Sequence, residues 1–158
     1  MRMSPMLRKL TLTAHLTTSM GWLGGVLAFL ALAVASLASD DAQLVRSTIL
    51  AMELTGWFVL VPLSIASLLT GLIQLLGTKW ELLQHYWIVV KLVIDVIATG
   101  VLLLYMQSLV KLADRASSPA LSSTAVLAIP SPSAIVHAGV AVLLLLVATV
   151  LSVYNPPV

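Results

Sequence analysis

Hydrophobic residues run in four long blocks along this chain, and polar residues are concentrated between the blocks rather than alternating within them. The first block extends from about residue 10 to 37 and stops at Asp40-Asp41. The second covers about 48–77, with Pro62 in its interior. The third covers about 82–110, and the fourth about 133–153, ahead of Asn155-Pro156-Pro157. A helix needs about 20 apolar residues to cross a bilayer, so each block predicts one transmembrane helix. Pro62 lacks an N–H and predicts a kink in the second. The first two connections are short, at about 39–46 and 78–81. The third, at about 111–132, is rich in Ser, Ala and Pro. Short connections join antiparallel neighbours. The predicted fold is therefore an all-α membrane protein, a single-domain, up-down-up-down bundle of four transmembrane helices.

Composition supports that reading. The chain is 60% hydrophobic and 9% charged, with a mean hydropathy of +1.09, whereas soluble domains carry about 25% charged residues. A surface built from so few polar groups has lipid as its solvent. The first block resembles a signal peptide in its basic flank (Arg2, Arg8, Lys9) and in Ala35-Ser36-Leu37-Ala38-Ser39. Its apolar run is about twice the usual h-region, so a retained helix is expected. The net charge of +2 forms no basic stripe and gives no nucleic-acid signal. Cysteine is absent, which excludes disulfides, thiolate-held clusters and covalent c-type haem attachment.

Orientation follows from the placement of basic residues. Arg2, Arg8, Lys9 and Lys79 fall on the side of the N-terminus, and Arg46, Lys111 and Arg115 on the other. This balance predicts both termini in the cytoplasm, in a bacterial inner membrane.

That topology gives each polar residue a depth. His15, His85 and Lys91 lie toward the cytoplasmic side, and His137 and Glu53 toward the opposite side. Ionisable residues inside hydrocarbon are costly and usually face a bundle interior, a partner or a ligand. Imidazole is the commonest metal ligand and the usual axial ligand of haem. His15 and His85 are thus candidates for one site, and His137 with Glu53 for a second, outer site. Thr11, His15, Thr18 and Trp22 fall on one helical stripe, followed by Gly25, and such a stripe belongs toward the interior. Gly21 and Gly25 form a small-xxx-small pair that allows close helix approach.

Each candidate also has a purely structural reading. His15 either ligates a cofactor or makes an interhelical hydrogen bond. His85, beside Trp80, Tyr86 and Trp87, either ligates or belongs to an interfacial aromatic belt. His137 either ligates or bonds Glu53. Lys91 and Asp95, four apart on one helix, form either an ion pair or a proton relay, with Lys91 also a counter-charge for a haem propionate. The methionines show no regular spacing and read as packing residues. No phosphate loop, Gly-x-Ser-x-Gly or His-Glu-x-x-His motif is present.

Two patches carry a family resemblance: the helical His15 followed by Trp22-Leu23-Gly24-Gly25, and Gly77-Thr78-Lys79-Trp80 followed by His85-Tyr86-Trp87 and Lys91-Leu92. Together they resemble a family of small integral membrane proteins allied to the membrane domain of CopD-type copper-resistance proteins. More distantly they resemble HemJ-type protoporphyrinogen oxidases. The resemblance spans the first three helices and implies handling of haem, porphyrin or copper.

The leading expectation is a haem b protein serving electron transfer, haem sensing or haem carriage. His15 and His85 would be the axial ligands, Lys91 would pair with a propionate, and Trp22 and Trp87 would pack the macrocycle. The alternatives are a transporter of copper or another divalent metal using Glu53 and His137 as further stations, a HemJ-like oxidase, and a cofactor-free structural subunit. The expected partners are the bilayer, a redox partner and a second copy of the chain.

Overall fold

The computed structural model describes residues 4–77 and 86–154, with only the backbone of Tyr86 and Trp87. Helix α1 (Pro5–Ala38) starts at Ser4, whose hydroxyl accepts the Leu7 N–H at 3.3 Å, with Pro5 at the first helical position. Both are ordinary helix-start chemistry. A three-residue turn leads to α2 (Ala42–Thr55), where the Asp41 carboxylate accepts the Gln43 N–H at 2.8 Å. Asp41 therefore starts the second helix as well as closing the first, and this moves its start from about residue 48 to Ala42.

The expected kink at Pro62 takes a specific form. Helix α2 passes through one π-helical turn, Gly56–Leu60, directly into α3 (Val61–Gly77). The Val61 N–H bonds the Gly56 carbonyl five residues back. Proline cannot donate to the carbonyl four residues before it, and its ring crowds that carbonyl. Widening the preceding turn is the local accommodation, and the rod stays continuous.

Helix α4 (Tyr86–Ser117) outruns the predicted end of the third span by a full turn and more. The third connection contains a short helix α5 (Ser123–Leu127), capped by Ser122, before α6 (Pro132–Tyr154). The α2–α3 rod and α1, α4 and α6 are long and apolar enough to cross a membrane. They pack as a ring in chain order, with α1 against α2–α3, that rod against α4, α4 against α6, and α6 back against α1.

On α1 the buried positions are Trp22, Val26, Phe29, Ala33 and Ser36. Their alternating spacing of four and three is the seam of a left-handed helix pair. They meet Met52, Leu60, Val61, Ala98, Met106, Leu109 and Leu145 in the main core. A second cluster of Val45, Ile49, Ala113, Ala116, Val126 and Ile129 packs α5 over the ends of α2 and α4. Leu16, Phe58, Leu104 and Leu143 are exposed, as lipid-facing residues should be.

Close approach is built from glycine. A Cβ on Gly25 would lie 2.8 Å from Leu60 Cδ2, and one on Gly56 would overlap the Met106 thioether. The Gly21–Gly25 pair thus does pack against a neighbouring helix as expected, but that neighbour is α3 of the same chain. This face is occupied within the chain.

Candidate functional site

His15, Ser19, Ser67, Thr70, Lys91 and Asp95 collect at the end holding the start of α1, the end of α3 and the start of α4. His15 reaches across from α1 to α3. Its Nδ1 lies 3.1 Å from the Ser67 carbonyl oxygen and 3.1 Å from Thr70 Oγ1. Glycine at position 71 makes this possible, because a Cβ there would come within 3.3 Å of the His15 Cε1.

These contacts fix the tautomer. A carbonyl oxygen can only accept. The Thr70 hydroxyl directs its single proton to its own helix, with the Ala66 carbonyl at 2.7 Å and that of Ser67 at 3.0 Å. Toward His15 it too must accept. Nδ1 therefore carries a proton and donates to both oxygens, so in the neutral ring the lone pair sits on Nε2. Ligating and catalytic histidines are commonly oriented this way, through a donated bond from the other nitrogen.

The remaining groups surround this pair. Ser19 and Ser67 share a hydrogen bond at 2.8 Å, and Gln74 donates to the Thr11 carbonyl at 3.0 Å. From α4, Asp95 interacts with the Ser67 side chain and feels the charges of His15 and Lys91. Lys91 and Asp95 do not close on each other as an ion pair. The Lys91 ammonium instead donates to Ser152 Oγ on α6 at 3.0 Å. A long, flexible side chain near the end of its helix turns sideways to an available hydroxyl, while the shorter Asp95 points into the bundle. The layer thus sets three titratable side chains among hydroxyls of α1, α3 and α6.

The other candidates are placed as follows. Trp22 is 1% exposed and fills the main core above the polar layer. His85 lies outside the described residues, as does the side chain of Trp87. At the opposite end, His137 is exposed, donates from Nδ1 to the Ser133 carbonyl at 2.7 Å, and stacks on Tyr105 with ring centroids 4.7 Å apart. Glu53 is half-buried on α2 and makes no hydrogen bond or ion pair to His137. The backbone carbonyl one turn earlier on its own helix serves His137 instead, so the expected Glu53–His137 pair is not formed. Among the described residues, no three His, Asp or Glu side chains are grouped closely enough to hold a metal ion.

No family model, curated protein or solved structure matches the chain.

Haem can be tested against this geometry. His15 offers one nitrogen in the right tautomer. Its expected axial partner His85, ahead of α4, lies outside the described residues, while Gly21, Gly25 and Gly71 bring α1 into van der Waals contact with the α2–α3 rod. Trp22 is closed into the core instead of edging an opening, and Lys91 is engaged by Ser152.

One functional residue escaped the sequence reading. Arg46 is half-buried, and its guanidinium donates to the carbonyls of Ala116, Ser118 and Leu121, the last two at 2.9 Å. It closes the end of α4, where helix carbonyls lack partners and the dipole favours a cation. A lone arginine at a membrane boundary gives no periodic signal. Only its position five residues after the capping Asp41 hinted that it belongs to a helix.

Proposed function

We propose that this chain is a proton-handling integral membrane protein whose working site is the His15–Asp95 pair. The observation that carries the reading is a half-buried carboxylate on α4, close enough to the hydrogen-bonded His15 imidazole of α1 to feel its charge. His15 comes from α1 with no hydrogen-bond partner on Nε2 among the described residues, and Asp95 comes from α4. Chains of Asp, Glu and His within membrane spans mark proton relays in pumps and transporters. A proton taken up by Asp95 or His15 changes the charge balance against Lys91, which is tied to α6. Proton binding is thereby coupled to contacts between helices. The excess of Arg2, Arg8, Lys9 and Lys79 over Arg46, Lys111 and Arg115 supports a reading in which this site lies toward the cytoplasmic side of a bacterial inner membrane, with both termini inside.

Infrared difference spectra of the lipid-reconstituted protein across a pH titration test the reading. A carboxyl band should titrate, disappear in Asp95→Asn and shift its midpoint in His15→Gln. A band that survives Asp95→Asn unchanged overturns the proposal. In proteoliposomes, proton flux driven by a potassium diffusion potential should fall at least tenfold in both variants and remain normal in His137→Gln.

A second reading, haem b held by His15 and His85 for electron transfer, sensing or carriage, is favoured by the His15 tautomer alone. An oxidised and dithionite-reduced spectrum decides it. A Soret band lost in His15→Ala supports haem, and a featureless spectrum after haem-replete expression removes it. Copper, the other metal alternative, is decided by metal analysis of the same sample.

A further inference from the structure

A small pocket lies at the opposite end of the bundle from the proton site. It is bounded by α1, α2, α4 and the Ile129–Ser131 turn that enters α6, and has a volume of about 20 Å³. About 10–15 Å³ is enough to hold one water. Ser36 lines it from the buried seam of α1 and is 3% exposed, yet its hydroxyl has no hydrogen-bond partner. A hydroxyl inside a helix normally turns back to a carbonyl three or four residues earlier. Ser47, Thr48 and Thr55 do so here, at 2.7–2.9 Å. Ser36 does not, and an unsatisfied buried hydroxyl is costly. Tyr105 and Ser131 line the same pocket and bring the further polar groups that a buried water requires.

The other buried hydroxyl without a partner among the described residues is Thr99. It stands one turn beyond Asp95 on α4, on the way to Tyr105. At 1.5 Å per residue the steps from Asp95 to Thr99 and from Thr99 to Tyr105 are about 6 and 9 Å along the axis. Both orphan hydroxyls thus fall between the carboxyl and the outer end of the bundle.

We propose that the pocket holds one ordered water bonded to Ser36 Oγ, and that this water is the outer end of a hydrated route leading past Thr99 to Asp95. The route rests on the proton-handling reading, whereas the water itself does not. No bond is made or broken beyond proton exchange between hydroxyl, water and carboxyl.

Radiolytic hydroxyl labelling of the lipid-reconstituted protein with mass spectrometry tests the water, since radicals form at the bound water itself. Met52 lines the pocket at 3% exposure, and Met106 lies in the core outside it at 0%. Met52 should be oxidised at least fivefold faster than Met106, and Ser36→Ala should remove most of that difference. Equal rates overturn the water. Thermal stability supplies a second measurement with opposite signs. If the water is bound, Ser36→Ala lowers the melting temperature, whereas a dry pocket gains stability on losing an orphan hydroxyl. Thr99→Val tests the route, and should slow proton flux at least threefold while leaving Met52 labelling intact. Unchanged flux in Thr99→Val with wild-type Met52 labelling overturns the route alone. Loss of the Asp95 infrared assignment with Met52 labelling intact overturns the proton site and the route, and leaves the water standing.

Discussion

Replacing Arg46 should be the most destabilising single change at the outer end of the bundle. Its guanidinium holds three carbonyls belonging to the end of α4 and the chain that follows it. Hydrogen bonds from a charged donor are worth about 1.5–3 kcal/mol each when dry. Ser118 and Leu121 lie in the connection at the end of the bundle, where water competes, so about 1 kcal/mol per bond is the appropriate figure. The cation at a helix C-terminus adds roughly 0.5 kcal/mol. Arg46→Met, which keeps most of the aliphatic stem, should therefore cost about 3.5 kcal/mol. Arg46→Lys keeps the charge, but an ammonium cannot span three separated carbonyls, so it should recover only about 1 kcal/mol of this. Reversible unfolding in SDS–detergent mixtures, followed by tryptophan fluorescence, measures both. A loss under about 1 kcal/mol for Arg46→Met, or full recovery by lysine, would refute the assigned role. The same variant should raise hydrogen exchange across residues 118–131, because Arg46 is what ties this connection down over the Ser36 pocket.

The remaining predictions concern close contacts. Gly24 faces open space, whereas Gly25 faces Leu60 at 2.8 Å. On the same unfolding assay, Gly24→Ala should stabilise by about 0.5–1 kcal/mol through helix propensity, and Gly25→Ala should destabilise by about 1–2 kcal/mol through overpacking. Equal effects at the two positions would contradict the packing of α1 on α3. Gly56→Ala should destabilise the wild type but stabilise a Met106→Ala background, since the added methyl then enters the vacated space; a sign that does not change between backgrounds refutes that contact. Gly71→Ala should displace the His15 ring by a few tenths of an ångström, visible as a shift of its ¹⁵Nδ1 resonance in solid-state NMR, while the His137 resonance stays fixed.

The fold was readable because lipid-facing helices need long unbroken apolar blocks, and nothing else in the chain imitates them. The inward stripe of Thr11, His15, Thr18 and Trp22 was readable from its helical spacing, although Thr13 and Thr17 on the same helix stay exposed. Partner choice was harder. Lys91 has Asp95 one turn away, yet it reaches Ser152, 61 positions later in the chain. His137 has Glu53 at a similar depth, yet its own helix satisfies it through Ser133. Depth narrows a side chain to a layer, but rotation about the helix axis selects its partner, and that rotation is set by packing. The widened turn before Pro62 was foreseen only as a bend, because sequence marks the missing N–H and not how the chain absorbs its loss.

That widened turn also sets the phase of the chain. An α-helix turns about 100° with each residue, so a surplus residue would throw the two halves out of phase, and the widened turn Gly56–Leu60 absorbs it. Buried positions continue across it, with Val45, Ile49 and Met52 on one side and Ser64 and Ser67 on the other. Inserting one further residue here, with no second widened turn to absorb it, would leave the Arg46 half in place while rotating everything beyond it by about 100°. Ser67 and Thr70 would swing away from His15 toward lipid, with no residue of the site itself altered. The length of this five-residue segment is therefore as much a part of the site as any side chain in it.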